Sequence, residues 1–287
     1  MSPSNSSTAP PVTGSYQAGE LNSRLNADFN VVPGGPFNTG DSSTALDTIS
    51  IIRGTLSGTT VGGGSMVKNI TCNSASGSCS NTEALSSSPV SGTFSAGISV
   101  SNSGVVTVTP SIGTPLSGAA SSDGNLFVLA SGHPSPDGDA GIVLGLKAGT
   151  GMTNASLSGT YNFASVEFGL GSNSSSVTSE SGTITLDGGG NLSGNLLQVQ
   201  TRVSSFCGSS SLCPTQSVST SSKSETPTAG YSVTPSGVVT ITGPGDTISG
   251  YASQDGKIIV LTSSFDGSIG TSGGSDSNRG LFVLIRR

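Results

Sequence analysis

The chain has 287 residues, a net charge of −6 and a pI of about 4.5, with charged residues at only 9%. The ten Lys and Arg form no basic stripe and Trp is absent, which excludes a phosphate-neutralising or base-stacking nucleic-acid surface. A hydrophobic share of 32% and a mean hydropathy of +0.04 exclude a highly charged disordered chain, and no apolar run reaches the roughly 18 residues of a membrane helix.

In chain order, Met1 leads directly into SPSNSSTAPPVTGS, which reads as a flexible Ser/Pro-rich spacer over 1–20 with no signal peptide. In surface lipoproteins such a spacer follows a lipidated Cys, so a lipid anchor in a precursor is one expectation. A first repeat is expected over 21–150 and a second over 151–287. Six anchors recur in the same order. Leu25-NADFN matches Leu157-SGTYN, and Leu56-Ser57-Gly58 matches Leu192-Ser193-Gly194. Cys72-NSASGS-Cys79 matches Cys207-GSSSL-Cys213, and Gly104-VVTVTP matches Gly237-VVTITG. Asp123-Gly124-NLFVLA matches Asp255-Gly256-KIIVLT, and Gly141-IVLGLK matches Gly280-LFVLIR. The displacement stays between 132 residues (Leu25 to Leu157) and 139 residues (Gly141 to Gly280).

A first strand is expected over Ala27–Val32. In the second repeat, strands are expected at Gly159-TYNFASVEF, Gly182-TITL and Leu192–Val203. Tyr231-SV, Val238-VTIT, Thr247-ISGYAS, Lys257-IIVLTS and Gly280-LFVLIR follow. The turns are Asp187-GGGN, Pro235-Ser236-Gly237 and Gln254-Asp255-Gly256. No segment carries a capped apolar stripe of period 3.6, so no helix is expected. Eight to ten short strands per repeat without crossover helices imply all-β architecture: two tandem antiparallel up-and-down barrels or flattened sandwiches. Each would have an apolar inner face and a Ser/Thr-rich outer one.

The gaps of Cys72 to Cys79 and Cys207 to Cys213 do not fit zinc or C-x-x-C redox spacing. One local disulfide per repeat, in an oxidising compartment, is the expectation. His133, the single histidine, sits in SGHPSPDGDAG with no triad partner in view and reads as a solvated loop residue. Asp137 and Asp139 lack the further oxygen ligands of a calcium loop and read as a polar turn. Most acids, including Asp123, Asp187, Asp246 and Asp255, fall in turns. Glu167 lies within a strand between Val166 and Phe168 and faces away from both; it is expected to be exposed, a barrel-interior carboxylate being the other option. Asn69, Asn154 and Asn173 head N-x-S/T triplets that signal glycosylation only in a eukaryotic secretory host. No catalytic, cofactor or metal residue is assigned.

The run GTYNF…TITLDGGGNLSG…YSVTPSGVVTIT…GYASQDGKIIVLT…GLFVLIR resembles tandem β-barrel, lipocalin-like domains of secreted proteins and surface lipoproteins of Gram-negative bacteria. The resemblance implies a barrel fold and a cell-surface or extracellular location. It carries no site residue, and Gly159-Thr160-Tyr161 stands where lipocalins have Gly-x-Trp. Function is therefore expected to be non-enzymatic: binding, adhesion or structural assembly. Other envelope or extracellular proteins, glycans or sister copies would be the partners. A carrier of small apolar ligands, an enzyme on envelope polymers and a transmembrane barrel are the other readings, in that order.

Overall fold

The computed structural model describes residues 14–25, 44–57, 60–73, 86–110, 115–132, 139–171, 174–205, 216–243, 247–266 and 277–287. It is all-β, as the strand and turn pattern implies. The first eight strands are β1 (Gly14–Leu25), β2 (Thr44–Ser57), β3 (Thr60–Asn73), β4 (Ser86–Val100), β5 (Val105–Pro110), β6 (Leu116–Ala120), β7 (Leu126–Gly132) and β8 (Asp139–Lys147). Each pairs antiparallel with the next, and β8 returns to β1 to close the barrel. A single 3-10 turn (Asn154–Leu157) precedes β9 (Gly159–Gly171), β10 (Ser174–Leu186), β11 (Asn191–Ser205), β12 (Gln216–Glu225), β13 (Thr228–Val233), β14 (Val238–Thr242), β15 (Thr247–Ala252), β16 (Ile258–Asp266) and β17 (Ser277–Arg286).

The second sheet runs β10-β9-β17-β16-β15-β14-β13-β11-β12, with a further β10–β11 pairing that closes it into a ring. Strands β12 and β13 are two halves of one strand. Ser193 pairs with Thr228 and Leu196 with Glu225, so the register against β11 is unbroken across the gap. The gap falls at Thr226-Pro227, where proline has no N–H to give the ladder. With those halves joined, both barrels have the same eight-strand up-and-down order.

Strand pairing corrects two of the sequence anchors. Tyr16 faces Lys147 in the first barrel and Tyr161 faces Arg286 in the second, so Gly14-Ser15-Tyr16 occupies the place of Gly159-Thr160-Tyr161. Leu25 instead ends β1. Leu56 pairs with Gly14 as Leu186 pairs with Gly159, so Leu56 corresponds to Leu186 rather than Leu192. A short Leu-Ser-Gly motif recurs too readily in a Ser/Gly-rich chain to fix register. Strand β1 begins at Gly14, inside the stretch expected as spacer, and the expected first strand at 27–32 lies outside the described residues.

The turns are built alike in both barrels. In Ser121–Leu126 the Asp123 carboxylate accepts the Asn125 amide, and the Ser121 hydroxyl accepts the Leu126 amide. In Ser253–Ile258 the Asp255 carboxylate accepts the Lys257 amide, and Ser253 accepts the Ile258 amide. Gly124 at φ 68° and Gly256 at φ 65° occupy the left-handed position that such turns require. A buried tyrosine then reaches each turn: Tyr16 donates to the Gly124 carbonyl, and Tyr161 to that of Gly256 at 2.7 Å.

Residues 148–158 plug this end of the second barrel. Met152 and Leu157 join the core of Tyr161, Phe163, Ile184, Leu186, Leu192, Tyr231, Val239, Ile241, Ile259, Leu261, Phe282 and Leu284. The Asn154 side chain accepts the Val233 amide at 2.8 Å, and the Tyr231 hydroxyl donates to the Asn154 carbonyl at 3.1 Å. Asn154 is thus committed to the plug, where a glycan would displace it. Among the described side chains of the first barrel, Tyr16, Val106, Phe127, Leu129 and Val143 pack together, with the Tyr16 and Phe127 rings 5.4 Å apart.

A third apolar cluster joins the two barrels. Leu126 and Val128 of β7 and Leu144 and Leu146 of β8 meet Val166, Ile258, Val260, Leu281 and Val283 of β9, β16 and β17. Along β7, Phe127 and Leu129 point into the first barrel while Leu126 and Val128 point out to the second. Along β16, Ile259 and Leu261 point in while Ile258 and Val260 point out. These strands are covered on both faces, so they read as continuous apolar runs instead of alternating ones. The expected Ser/Thr outer face therefore does not extend to this seam.

Burial pushes the Tyr16 and Tyr161 hydroxyls up to about 12, with Asp123 adding to the effect at Tyr16 and the Arg286 charge opposing it at Tyr161. In the unfolded chain these phenols ionise near 10. The folded state holds its protons more tightly, so this contribution to stability is complete below pH 10 and is lost as pH rises from 10 to 12. Spectrophotometric titration at 295 nm should show two phenols ionising together with alkaline unfolding in that window. Tyr161→Phe, which strips the carbonyls of Leu157 and Gly256 of their donor, should cost about 1–3 kcal/mol in chemical denaturation.

Candidate functional site

Cys79, Cys207, Cys213, His133 and Asp137 lie outside the described residues. Cys72 falls in β3 opposite Ala45 and Ser86, and Asp139 opens β8; only their backbones are described. Asp246 also lies outside the described residues, while the turn carboxylates Asp123, Asp187 and Asp255 are structural. Asn191 donates to Asp187 through its side chain at 2.6 Å and its backbone at 2.9 Å, and the Gly189 amide adds a third bond at 2.7 Å. These bonds, led by the Asn191 side chain, hold the Asp187 carboxyl down at about 2. The Ser121 hydroxyl and the Asn125 amide likewise lower Asp123. At Asp255 burial pushes upward, but bonds from Ser253 and Lys257 outweigh it and the carboxyl stays low. Groups locked ionised in this way are poor proton donors at neutral pH.

Glu167 is where the structure departs from expectation. Tyr161 and Phe163 point into the second barrel, so Ser165 and Glu167, at period two on β9, point in as well. Val166 points outward into the seam. Glu167 is therefore an interior, half-buried carboxylate and not an exposed one.

The same alternation on the neighbouring strands lines up a polar interior. Ile184 and Leu186 set the inner face of β10, which continues through Glu180 and Thr178. Leu192 and Leu196 set that of β11, which continues through Gln198, Gln200 and Arg202. Cross-strand register arranges these into rungs. Ser165, Glu180 and Gln198 form one; Gly280, Glu167, Thr178 and Gln200 form the next; Ser176 and Arg202 form a third. Within them Gln198 Nε2 donates to Glu180 Oε1 at 2.7 Å, and the Ser165 hydroxyl to Glu180 Oε2 at 3.4 Å. Gln200 Nε2 donates to Thr178 Oγ1 at 3.2 Å, and Thr178 is only 6% exposed.

The barrel interior thus changes along its axis, from a packed apolar half at the plug to a hydrogen-bonded polar half beyond it. Strand β14 pairs β13 from Val233 to Gly230, and β15 pairs β16 between Ser249 and Ala252. Ser165, Glu167, Glu180, Gln198, Gln200 and Arg202 are half-buried. Lys223 and Glu225 at the rim pair with each other at 2.8 Å. No set of three His, Cys, Asp or Glu with metal-ligand geometry occurs among the described residues.

The arrangement can accept and donate hydrogen bonds to a polar group. Its two carboxylates stand among amides and a guanidinium. Sequence reasoning missed the site because period two separates two faces without saying which is inside. The available signal was the Tyr161/Phe163 pair, which fixes the inward phase of β9.

No protein-family model matches the chain, and no curated protein does. Two solved structures are similar. One is a protein of unknown function from the DUF3598 family of Nostoc punctiforme, 13% identical over 96% of this chain and 96% of that one, with a TM-score of 0.24. The other is a double mutant of the vaccine antigen transferrin binding protein B from Haemophilus parasuis, 9% identical over 96% of this chain and 76% of that one, with a TM-score of 0.29. No helix among the described residues is long and apolar enough to cross a membrane.

Proposed function

We propose that this chain is a tandem duplication of one eight-stranded barrel and serves as a non-enzymatic, extracytoplasmic binding module of the cell surface or extracellular space. The observation that carries the reading is the polar half of the second barrel, whose half-buried amides, carboxylates and guanidinium are suited to holding a polar ligand. The matched turns and buried tyrosines of the two barrels support the duplication, with the repeat unit starting at Gly14 and again near Gly159. Local Cys72–Cys79 and Cys207–Cys213 disulfides complete the reading. They fit a location outside the reducing cytoplasm, and two thiol-free pairs are the expected result of a thiol titration under denaturing conditions.

An assembly role is the second reading, and one observation favours it. Among the described residues no strand pairs the second edge of the ten-residue β12, and next to it the outer face of β10, β11 and β12 exposes Val177, Leu197 and Val218, the last at 67%. An extended strand could add to that edge. The test is to screen the oxidised protein against glycans, small polar metabolites and envelope proteins while assaying for product release. Saturable binding without turnover supports the module. Turnover of any polymer by the purified chain would overturn it.

A further inference from the structure

The plug of the second barrel has a counterpart in the sequence ahead of the first. Aligned on the paired tyrosines, Pro11-Val12-Thr13-Gly14-Ser15-Tyr16 matches Ser156-Leu157-Ser158-Gly159-Thr160-Tyr161. In the second barrel Leu157 is fully buried, and its carbonyl accepts the Tyr161 hydroxyl at 2.9 Å. The same segment covers the turn glycines. A Cβ on Gly256 would stand 3.3 Å from Leu157 Cδ2 and closer still to the Ser156 carbonyl, while one on Gly237 would meet Met152 and Gly149. The first barrel repeats the receiving side. Gly104 and Gly237 occupy the same turn, each carbonyl accepting an alanine amide, from Ala120 or Ala252, at 2.9 Å. Gly104 and Gly124 are buried, as Gly237 and Gly256 are under the plug, although residues 101–103 and 122–123 just before them are exposed. Lys147 faces Tyr16 as Arg286 faces Tyr161, and Arg286 donates to the Ser158 carbonyl.

We propose that the residues ahead of β1 seal this end of the first barrel, with Val12 seated against Gly124 as Leu157 is against Gly256. The Val12 carbonyl then gives Tyr16 a second acceptor beside Gly124, and the Thr13 carbonyl faces Lys147. The proposal rests on the duplication read above and not on the binding role. Val12 precedes Tyr16 by the same spacing as Leu157 precedes Tyr161, so it reaches the turn without a loop. Two departures set its extent. Ser7 and Ala9 stand in the places of Met152 and Asn154, so the deeper apolar anchor and the side-chain cap are missing. Pro11 replaces Ser156, whose amide donates to the Thr153 carbonyl at 3.0 Å. Proline has no such donor, and it holds the preceding Pro10 extended. The seal is therefore shorter than 148–158 and turns on Val12. A foreign apolar peptide would have to displace residues already tethered beside the turn at high effective concentration.

The test is amide exchange of the full-length protein followed by NMR. The Thr13 amide matches that of Ser158, which donates to the Ala155 carbonyl. It should exchange about tenfold or more slowly than in an unstructured peptide. Val12→Asp should remove that protection and lower the denaturation midpoint. It should also let Tyr16 ionise nearer 10 while Tyr161 stays at about 12. Should that variant unfold the barrel, Val12→Ser supplies the milder readout: loss of Thr13 protection with the far-UV spectrum intact. Exchange of Thr13 at the peptide rate in the unaltered protein overturns the proposal. So does a Val12→Asp variant whose midpoint and Tyr16 ionisation are unchanged. Either result, with Tyr16 still ionising at about 12 in the unaltered protein, leaves the duplication standing, because the bond from Tyr16 to Gly124 does not involve Val12. Ionisation of Tyr16 near 10 in the unaltered protein would contradict the matched turn, and with it both the seal and the duplication.

Discussion

Replacing Gly250 with alanine should cost the second barrel about 3 kcal/mol or more, a large fraction of a typical domain's stability. Gly250 lies on β15 against Leu261 of β16, and a Cβ there would sit 2.6 Å from Leu261 Cα and closer still to the Val260 carbonyl. Those are backbone atoms of a paired strand, so no rotamer change relieves the clash. The strands would have to separate where Tyr251 and Val260 are both almost fully buried. Gly118 on β6 is the matching residue of the first barrel, with Leu129 Cα 2.8 Å from its would-be Cβ. Gly118→Ala should therefore be similarly damaging. Urea unfolding followed by circular dichroism checks both. A loss below about 1 kcal/mol in either variant would mean that the strand crossing is looser than described.

Charging the seam should have the second large effect. Leu146 and Val260 are 1% and 2% exposed, and both belong to the cluster between the barrels. An aspartate at either position would be buried with no cation in the cluster to pair with it, which costs several kcal/mol or forces the surfaces apart. Leu146→Ala should cost about 2–5 kcal/mol through lost burial and the cavity left behind. The alanine variant should keep one unfolding transition at lower denaturant. The aspartate variants should split the curve into two, since each barrel retains its own inner core.

How legible these features were depends on what a strand pattern encodes. Turn residues were legible because they act locally: Asp123-Gly124 and Asp255-Gly256 form hydrogen-bonded turns with glycine at positive φ, as their composition implies. The class of fold followed from them. The seam was legible in principle. The runs Leu126-FVL, Val143-LGL, Ile258-IVL and Leu281-FVL are covered on both faces, whereas β10 alternates Thr183, Ile184, Thr185 and Leu186 with only the apolar pair inside. One barrel per repeat needs only one apolar face, so the strand pattern by itself does not imply burial on two sides.

The polar interior was illegible for a different reason. A half-polar strand such as Ser174–Leu186 does not declare whether its polar residues face solvent or a polar lumen. Only closure of the ring, set by the long-range β9–β17 pairing, decides it. The misplaced anchors at Leu25 and Leu56 have the same origin, since repeats of Leu, Ser and Gly carry little register information until partners are known.

Native-state hydrogen exchange tests most directly whether the two barrels are fused through the seam. Amides of β7 and β8 in the first barrel and of β16 and β17 in the second should be the slowest in the molecule and should exchange with one shared opening free energy. If β7 and β8 instead exchange freely while β16 and β17 remain protected, the barrels open independently, and a seam binding them into one unit is contradicted.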